Sequence, residues 1–426
     1  MSDLLREIGE RVASEAEEAY FVGGCVRDFL RGDPGKDLDF VLRGDPHAVG
    51  RALARAYNGP VFWLRQEDEV VRVLLPEHGG LQIDLLPLRS SLEEDLLARD
   101  LTINAMAVPA ETGLGPDAPV IDPSGGRADL AQQTIRFVRP AAPEKDPLRT
   151  LRALRFRWKL GFELAPGTEE RIRECVPLLQ RVSTERIRDE LFQLLAMECA
   201  AQALAECLRF GTVRWLTGCS DAAVAARAEA GAPADSARSV AGLIQDGPPD
   251  LSRLLSAEVT PPRTRRQLLL WAAALQPLPE LDPAAAARYL ALSNEERDII
   301  AKGLAAAREA RELARRWPQP GRLRLRLFQK AGPVGAEAVL LAAAADGWSD
   351  AYRELLGEAL RRHFWPEPPL LSGVEVMQLL RLSPGPAVGR ALAEVEEARA
   401  DGLIRSPQEA VRWLRERARA ESAREA

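Results

Sequence analysis

YFVGGCVRDFLRGDPGKDLDFVL, residues 20–42, holds a Gly-Gly turn, a short polar helical segment, a Gly/Pro break, and an apolar run interrupted by Asp37 and Asp39. A β-strand turns residues i and i+2 to the same face, so the two carboxylates lie side by side. Unpaired carboxylates on a half-buried strand are costly. At such spacing they also repel each other unless a cation sits between them. A solvated edge turn is the ordinary reading of an isolated DxD. Here a second apolar run, LQIDLLPL (81–88), carries one more acid, Asp84. Three carboxylates on neighbouring strands, Asp37, Asp39 and Asp84, have the donor chemistry of a two-Mg²⁺ site for phosphoryl transfer. Gly23 and Gly24 end one strand and open a helix, which leaves backbone N–H groups uncovered for a phosphate. Taken alone, that pair is equally well explained as a tight strand-to-helix turn.

Working outward, β-rich runs fill the chain to about residue 138: YFVGG, DLDFVL, PVFWL, VVRVLL, LQIDLLPL and TINAMAV. From about residue 146 the pattern is helical. DPLRTLRALRFRWKL starts with Asp146 as N-cap and Pro147 at the first helical position. STERIRDELFQLL starts at Ser183 or Thr184 and lines up Ile187, Leu191, Leu194 and Leu195 on one face. Ser293 with Glu296, and Ser406 with Glu409, have capping-box spacing. Pro/Gly breaks occur at DGPPD (246–250), WPQPG (317–321) and WPEPPLLSG (365–373), the last marking a domain boundary. The expected fold is α+β, with a mixed-sheet head followed by an all-helical remainder.

Composition narrows the function classes. A chain of 426 residues, 46% apolar and 28% charged, is long enough for several globular domains. No apolar run suits a bilayer span, and the acidic amphipathic start, MSDLLREIGE, is unlike a secretory leader. Five scattered cysteines without CxxC spacing indicate reduced thiols and a cytoplasmic location. Three distant histidines leave metal chemistry to carboxylates. The net charge of −6 argues against indiscriminate coating of nucleic acid, though not against one basic groove.

GGCVRD (23–28) followed by KDLDF (36–40) resembles the first motif of the class II tRNA nucleotidyltransferase and bacterial poly(A) polymerase family, within the DNA polymerase β superfamily. RDLTINAMA (99–107) is similar to its second motif, and DPSGGRADL (122–130) with Ile135 and Arg136 to its third. KDPLRTLRALRF (145–156) is similar to the fourth, STERIRDEL (183–191) to the fifth, and the segment from LLSGVEVMQLL onward to the family's tail. The resemblance implies a catalytic head over 1–138, a helical neck over 139–200, a tRNA-binding body over 201–365 and a tRNA-binding tail over 366–426. It implies two Mg²⁺ ions on Asp37, Asp39 and Asp84, and phosphate binding by Gly23, Gly24 and Arg27. Arg99, Asp100 and Asn104 would meet the sugar and phosphates. Asp146 and Arg149 would act as an amino-acid template for the base. A carboxylate accepts from the exocyclic amino group that cytosine and adenine share, and a guanidinium donates to ring acceptors. Arg152 and Arg155 continue the stripe, as phosphate contacts or as ion-paired neck residues. Lys145 stands where the family usually has Glu.

The segment LPLRSSLEEDLLARD (86–100) runs almost directly from the strand into SLEEDL. Family members that complete the CCA end carry a longer basic loop here, associated with switching the pocket from CTP to ATP. Its shortness resembles CC-adding enzymes. The expected function is therefore CMP addition, with AMP as the alternative, to the tRNA 3′ end by a monomer. A separate A-adding enzyme would then act downstream. Full CCA addition, A-addition and polyadenylation remain alternatives. A non-catalytic RNA-binding protein is the remote one, since neither Asp37 nor Asp39 is lost.

Overall fold

The computed structural model describes residues 2–425 except Pro34 and Pro116. The chain divides into two compact units, Met1–Glu190 with Phe210–Thr212, and Leu191–Arg209 with Val213–Ala426. The division runs through one helix in the segment read as the neck.

The first unit contains a six-stranded sheet. Its strands are β1 (Glu18–Val22), β2 (Asp37–Arg43), β3 (Val61–Arg65), β4 (Val70–Leu75), β5 (Leu81–Pro87) and β6 (Ala107–Pro109), in spatial order β3-β4-β5-β2-β1-β6. β2 and β5 run parallel and the other pairs antiparallel, so the sheet is mixed. TINAMAV is not one strand: Thr102–Asn104 forms a turn of 3₁₀-helix, and pairing begins only at Ala107. There Asp100 and Asn104 hold each other side chain to side chain, at 3.3 Å, a local closure that an extended backbone would not allow.

Alternation along the strands separates two faces. Phe21, Leu38, Phe40, Leu42, Val71, Val73, Leu81, Ile83 and Leu85 pack with Leu5, Ile8 and Val12 of α1 (Ser2–Ser14) and with Val49 and Leu53 of α3 (Pro46–Ala56). This is the head's core. The opposite face holds a small apolar cluster of Val22, Val41, Leu88, Leu96 and Ala107. Asp37 and Asp39 share that second face with Val41, by the period of two. The carboxylates thus lie on the thinly covered side of the sheet.

The remaining elements bring side chains to that side. α2 (Gly24–Leu30) follows β1 directly. Gly23 between them has φ 72° and ψ −131°, a backbone conformation that strains any residue with a Cβ and favours glycine. α4 (Leu92–Ala98) opens with a Ser91–Glu94 capping box. α5 (Gly126–Ala131) is held by Asp122, which accepts from the N–H groups of Gly126 and Arg127 at 2.8 and 2.9 Å. β7 (Thr134–Ile135) then pairs in parallel with β8 (Glu163–Leu164). Between these two strands lie α6 (Ala142–Lys145) and α7 (Leu148–Leu160). α8 (Thr168–Cys175) and α9 (Thr184–Leu195) come next.

The second unit is helical apart from a two-stranded ribbon, Glu258–Thr260 with Arg263–Thr264. The helix Asn294–Arg315 opens with the Ser293–Glu296 capping box. Glu296 is also locked to Arg263 in a buried ion pair at 2.6 Å. At the second capping site Ser406 accepts from the Glu409 N–H at 3.2 Å, while the Glu409 carboxylate reaches the N–H of Arg405 at 2.6 Å. All three Pro/Gly breaks separate helices. After the last one, Leu371, Val376, Val395, Ile404 and Leu414 form a hydrophobic cluster of their own. Among the described residues no helix is long and apolar enough to cross a membrane.

Candidate nucleotide site

An open cleft of about 450 Å³ lies within the first unit. Gly23, Gly24, Arg27 and Asp39 line one part of it. Arg99, Asp100 and Asn104 contribute another, and Asp146 and Arg149 line it near the start of α7. It thus gathers residues from four separate stretches of sequence.

The acid cluster is built by register. Asp39 on β2 pairs with Asp84 on the parallel strand β5, two residues from Asp37. Burial pushes the Asp39 carboxyl up to about 6, and the charges of Asp84 and Asp37 add to the rise against the opposing pull of Arg99 and Arg72. Asp37 is exposed at the start of its strand. Asp84 is not free. Arg72 on β4 is its cross-strand neighbour and binds both carboxylate oxygens at 2.7 Å. An ionised carboxylate has about four lone-pair sites, so this fork leaves Asp84 some acceptor capacity. Among the described residues no three His, Cys, Asp or Glu side chains close into a ready metal cage. The donor set still suits a hard divalent cation: all oxygen, with a repulsion at Asp39 that a cation would relieve.

The rest of the cleft is a connected polar network. Arg27 is buried; it donates to Asp28 at 2.8 and 2.7 Å and to Asn104 Oδ1 at 2.5 Å. Asn104 donates to Asp100 Oδ1 at 3.3 Å, and Arg152 Nε to Asp100 Oδ2 at 2.8 Å. Burial alone would raise Asp100, but Arg152, the Leu101 N–H and Asn104 hold it below the usual carboxylate range. Arg99 pairs with Asp95 at 3.0 Å. Arg149 donates to two main-chain carbonyls at the end of α4, Ala98 at 2.6 Å and Arg99 at 2.9 Å. Those carbonyls are the unsatisfied acceptors of a helix C-terminus. Asp146 accepts from the Leu148 N–H at 3.3 Å and from Arg186 at 2.8 Å; α7 begins one residue later than expected, with Pro147 and not Asp146 at its N-cap position.

Arg155 needs correction as a nucleotide contact. It does not line the cleft; it is buried with Glu190 of α9, its Nε on Oε1. Helical periodicity puts Arg149, Arg152, Phe156 and Lys159 on one stripe of α7, and Arg155 sits at its flank within reach of α9. Asp37 and Asp84 also lie outside the cleft lining, beside Asp39 on the sheet. Phe156, Lys159 and Arg186 do line the cleft and were missed as contacts by the motif reading. The i, i+3, i+7, i+10 spacing from Arg149 along α7 was the signal that could have found the first two. Of the third motif, Asp129 accepts from Thr102 at 2.7 Å and from Arg136 at 3.0 Å, a structural tie away from the cleft.

The link from the sheet to α4 is short and fastened. Leu88, Arg89 and Ser90 are the only residues between β5 and the Ser91 cap. The Leu88 N–H bonds to the Leu42 carbonyl at 2.7 Å, and Arg43 donates to the Ser90 carbonyl at 3.3 Å.

Comparison with known proteins accords with this geometry. Residues 19–136 match the poly A polymerase head domain, and residues 161–215 the probable RNA and SrmB-binding site of polymerase A. A CC-adding tRNA nucleotidyltransferase of Geobacter sulfurreducens is 34% identical over 411 residues, covering 93% of this chain and 91% of its own length. An A-adding tRNA nucleotidyltransferase of Deinococcus radiodurans is 31% identical, covering 93% of this chain and 96% of its own. Among solved structures, the Bacillus stearothermophilus CCA-adding enzyme in complex with CTP superposes with a TM-score of 0.72 at 27% identity, over 98% of both chains. The Thermotoga maritima CCA-adding enzyme complexed with tRNA gives a TM-score of 0.70 at 22% identity, over 97% of this chain and 94% of its own, a likeness of fold.

Proposed function

Because the chain belongs to the tRNA nucleotidyltransferase family, we propose that within it the protein is a CC-adding enzyme, which extends tRNA 3′ ends by two cytidines from CTP. The observation that carries this reading is the three-residue link between β5 and the Ser91 cap, together with the grip of Arg149 on the end of the same helix. A base-reading guanidinium anchored to a helix that has no slack behind it offers one pocket shape. Switching from cytosine to adenine calls for a second shape, and the terminal adenosine is left to another enzyme.

Each residue has a role consistent with its place. Asp146 accepts from the cytosine amino group, and Arg149 can direct a remaining donor to the ring acceptors. Arg27, Asn104, Asp100 and Arg152 hold one another in the rigid arrangement that positioning demands. Asp100, buried and ionised, is a suitable acceptor for a ribose hydroxyl. Asp37 and Asp39, with Asp84 beside them, would hold two Mg²⁺ ions, which when bound supply Lewis-acid stabilisation at the α-phosphate and acidify the 3′-hydroxyl. In the transfer the tRNA 3′-oxygen bonds to the α-phosphorus. The bond from that phosphorus to the bridging oxygen breaks, pyrophosphate leaves with the electron pair, and the hydroxyl proton passes to solvent.

The test is extension of a tRNA that lacks its 3′ CCA, with CTP alone, ATP alone or both. Two additions with CTP and none beyond them when ATP is supplied are expected. Growth to a complete CCA end would overturn the CC-adding reading.

A further inference from the structure

Six cationic side chains line the cleft, and five of them are already committed to protein acceptors. Arg27 is held by Asp28 and Asn104, Arg99 by Asp95, Arg149 by carbonyls, Arg152 by Asp100, and Arg186 by Asp146. The sixth, Lys159, is different: among the described residues no carboxylate comes within ion-pairing distance of it. It sits on the cleft stripe of α7, ten residues beyond Arg149, which is about 15 Å along the helix axis. That spacing matches the length of an extended nucleoside triphosphate, with the base at the Arg149 end. The glycine turn and Arg27 also line the cleft. Burial first, and then the charge of Arg27, pull the Lys159 ammonium below the usual lysine range, against the opposing pull of Asp28 and Asp37. Asp28 offsets part of the repulsion between Arg27 and Lys159, and a bound polyanion would offset the rest.

We propose that Lys159 binds the β- and γ-phosphates of the incoming nucleotide and holds the pyrophosphate as it leaves. A lysine suits this task better than the arginines around it. Its compact charge on a flexible stem can follow phosphate oxygens that move during the reaction, whereas the paired arginines are fixed by their acceptors. Lys159 contributes to positioning and to leaving-group charge, not to base choice. The proposal rests on nucleotidyl transfer at this cleft and is independent of how many cytidines are added.

The test compares wild-type full-length protein with Lys159→Ala and Lys159→Arg, using equilibrium binding of CTP and of CMP in the presence of Mg²⁺. Inhibition of tRNA extension by inorganic pyrophosphate is measured alongside. Lys159→Ala is expected to weaken CTP binding about tenfold, the effect of losing one charge-assisted contact, and to leave CMP binding within about twofold. Pyrophosphate inhibition should weaken by the same factor as CTP binding, and Lys159→Arg should restore most of both. Equal weakening of CTP and CMP would mark a purely structural role and overturn the proposal, as would no change in either. Because the CTP/CMP contrast is read from binding, a wild-type protein that failed to extend tRNA would contradict the transferase reading without being confused with this result.

Discussion

The acid cluster on the sheet, which reaches the cleft through Asp39, and the arginine stripe on α7 are finished to different degrees. On the sheet, Asp39 pairs with Asp84 and stands two residues from Asp37, and among the described residues only Asp84 of the three is in an ion pair. On α7 and its neighbours every arginine that lines the cleft already has an acceptor. The acid end, proposed as catalytic, is therefore electrostatically incomplete without a cation, whereas the arginine end, proposed to read the base, is set in advance. A preset arginine end fits the proposed choice of base by protein side chains, because a surface that selects one edge has to hold its donors and acceptors still.

The largest effect is expected at the incomplete end. Asp39→Asn should reduce nucleotide incorporation at least about a thousandfold, because the position loses its charge for the metal, while tRNA binding stays near normal. The same substitution should stabilise the metal-free protein. The folded-state value of about 6 lies above the ordinary carboxyl value of 3.8. The folded state therefore holds the proton more tightly, and charging Asp39 costs stability as pH rises from about 4 through about 6. At pH 7.5 the apo melting temperature of Asp39→Asn should exceed wild type by about 3 °C, and the gap should close below pH 4. A variant that is less stable at neutral pH would contradict the account of Asp39.

Next comes Arg155, which separates fold from recognition on the same helix. Arg155→Ala leaves Glu190 buried without its partner and should cost about 3 kcal/mol in urea unfolding. In the fraction that folds, the KM for CTP should stay within about twofold. A selective loss of CTP affinity with stability intact would return Arg155 to the nucleotide contacts. The smallest effect belongs to Arg186, half exposed and bonded to Asp146. Arg186→Ala should lower the CTP-over-UTP preference about threefold by loosening Asp146, with stability changed by less than about 0.5 kcal/mol.

Much of this arrangement was legible from residue patterns. The period of two put Asp37 and Asp39 on one face, and the ordered motifs indicated both the head and the pair Asp146 and Arg149 that lines the cleft. Pairings between distant segments were not legible. The fork of Arg72 on Asp84 depends on the β4–β5 register, which no local pattern encodes. Arg149 donates to carbonyls some fifty residues away, and backbone acceptors leave no trace in residue identity. Arg155 resembled its stripe neighbours by type, and only the approach of α9 assigned it to Glu190. TINAMAV was read as a strand by its apolar content, but side-chain bonding between Asp100 and Asn104 closed its first turn.

The contrast between the two ends is tested most directly by nucleotide binding with and without divalent cation. CTP and UTP affinities would be measured calorimetrically in EDTA and again in Mg²⁺. Both affinities should rise with the metal, but the preference for CTP should be the same within about twofold in the two conditions, and Asp146→Ala should remove it in both. A preference that appears only when Mg²⁺ is present would contradict a recognition end set in advance.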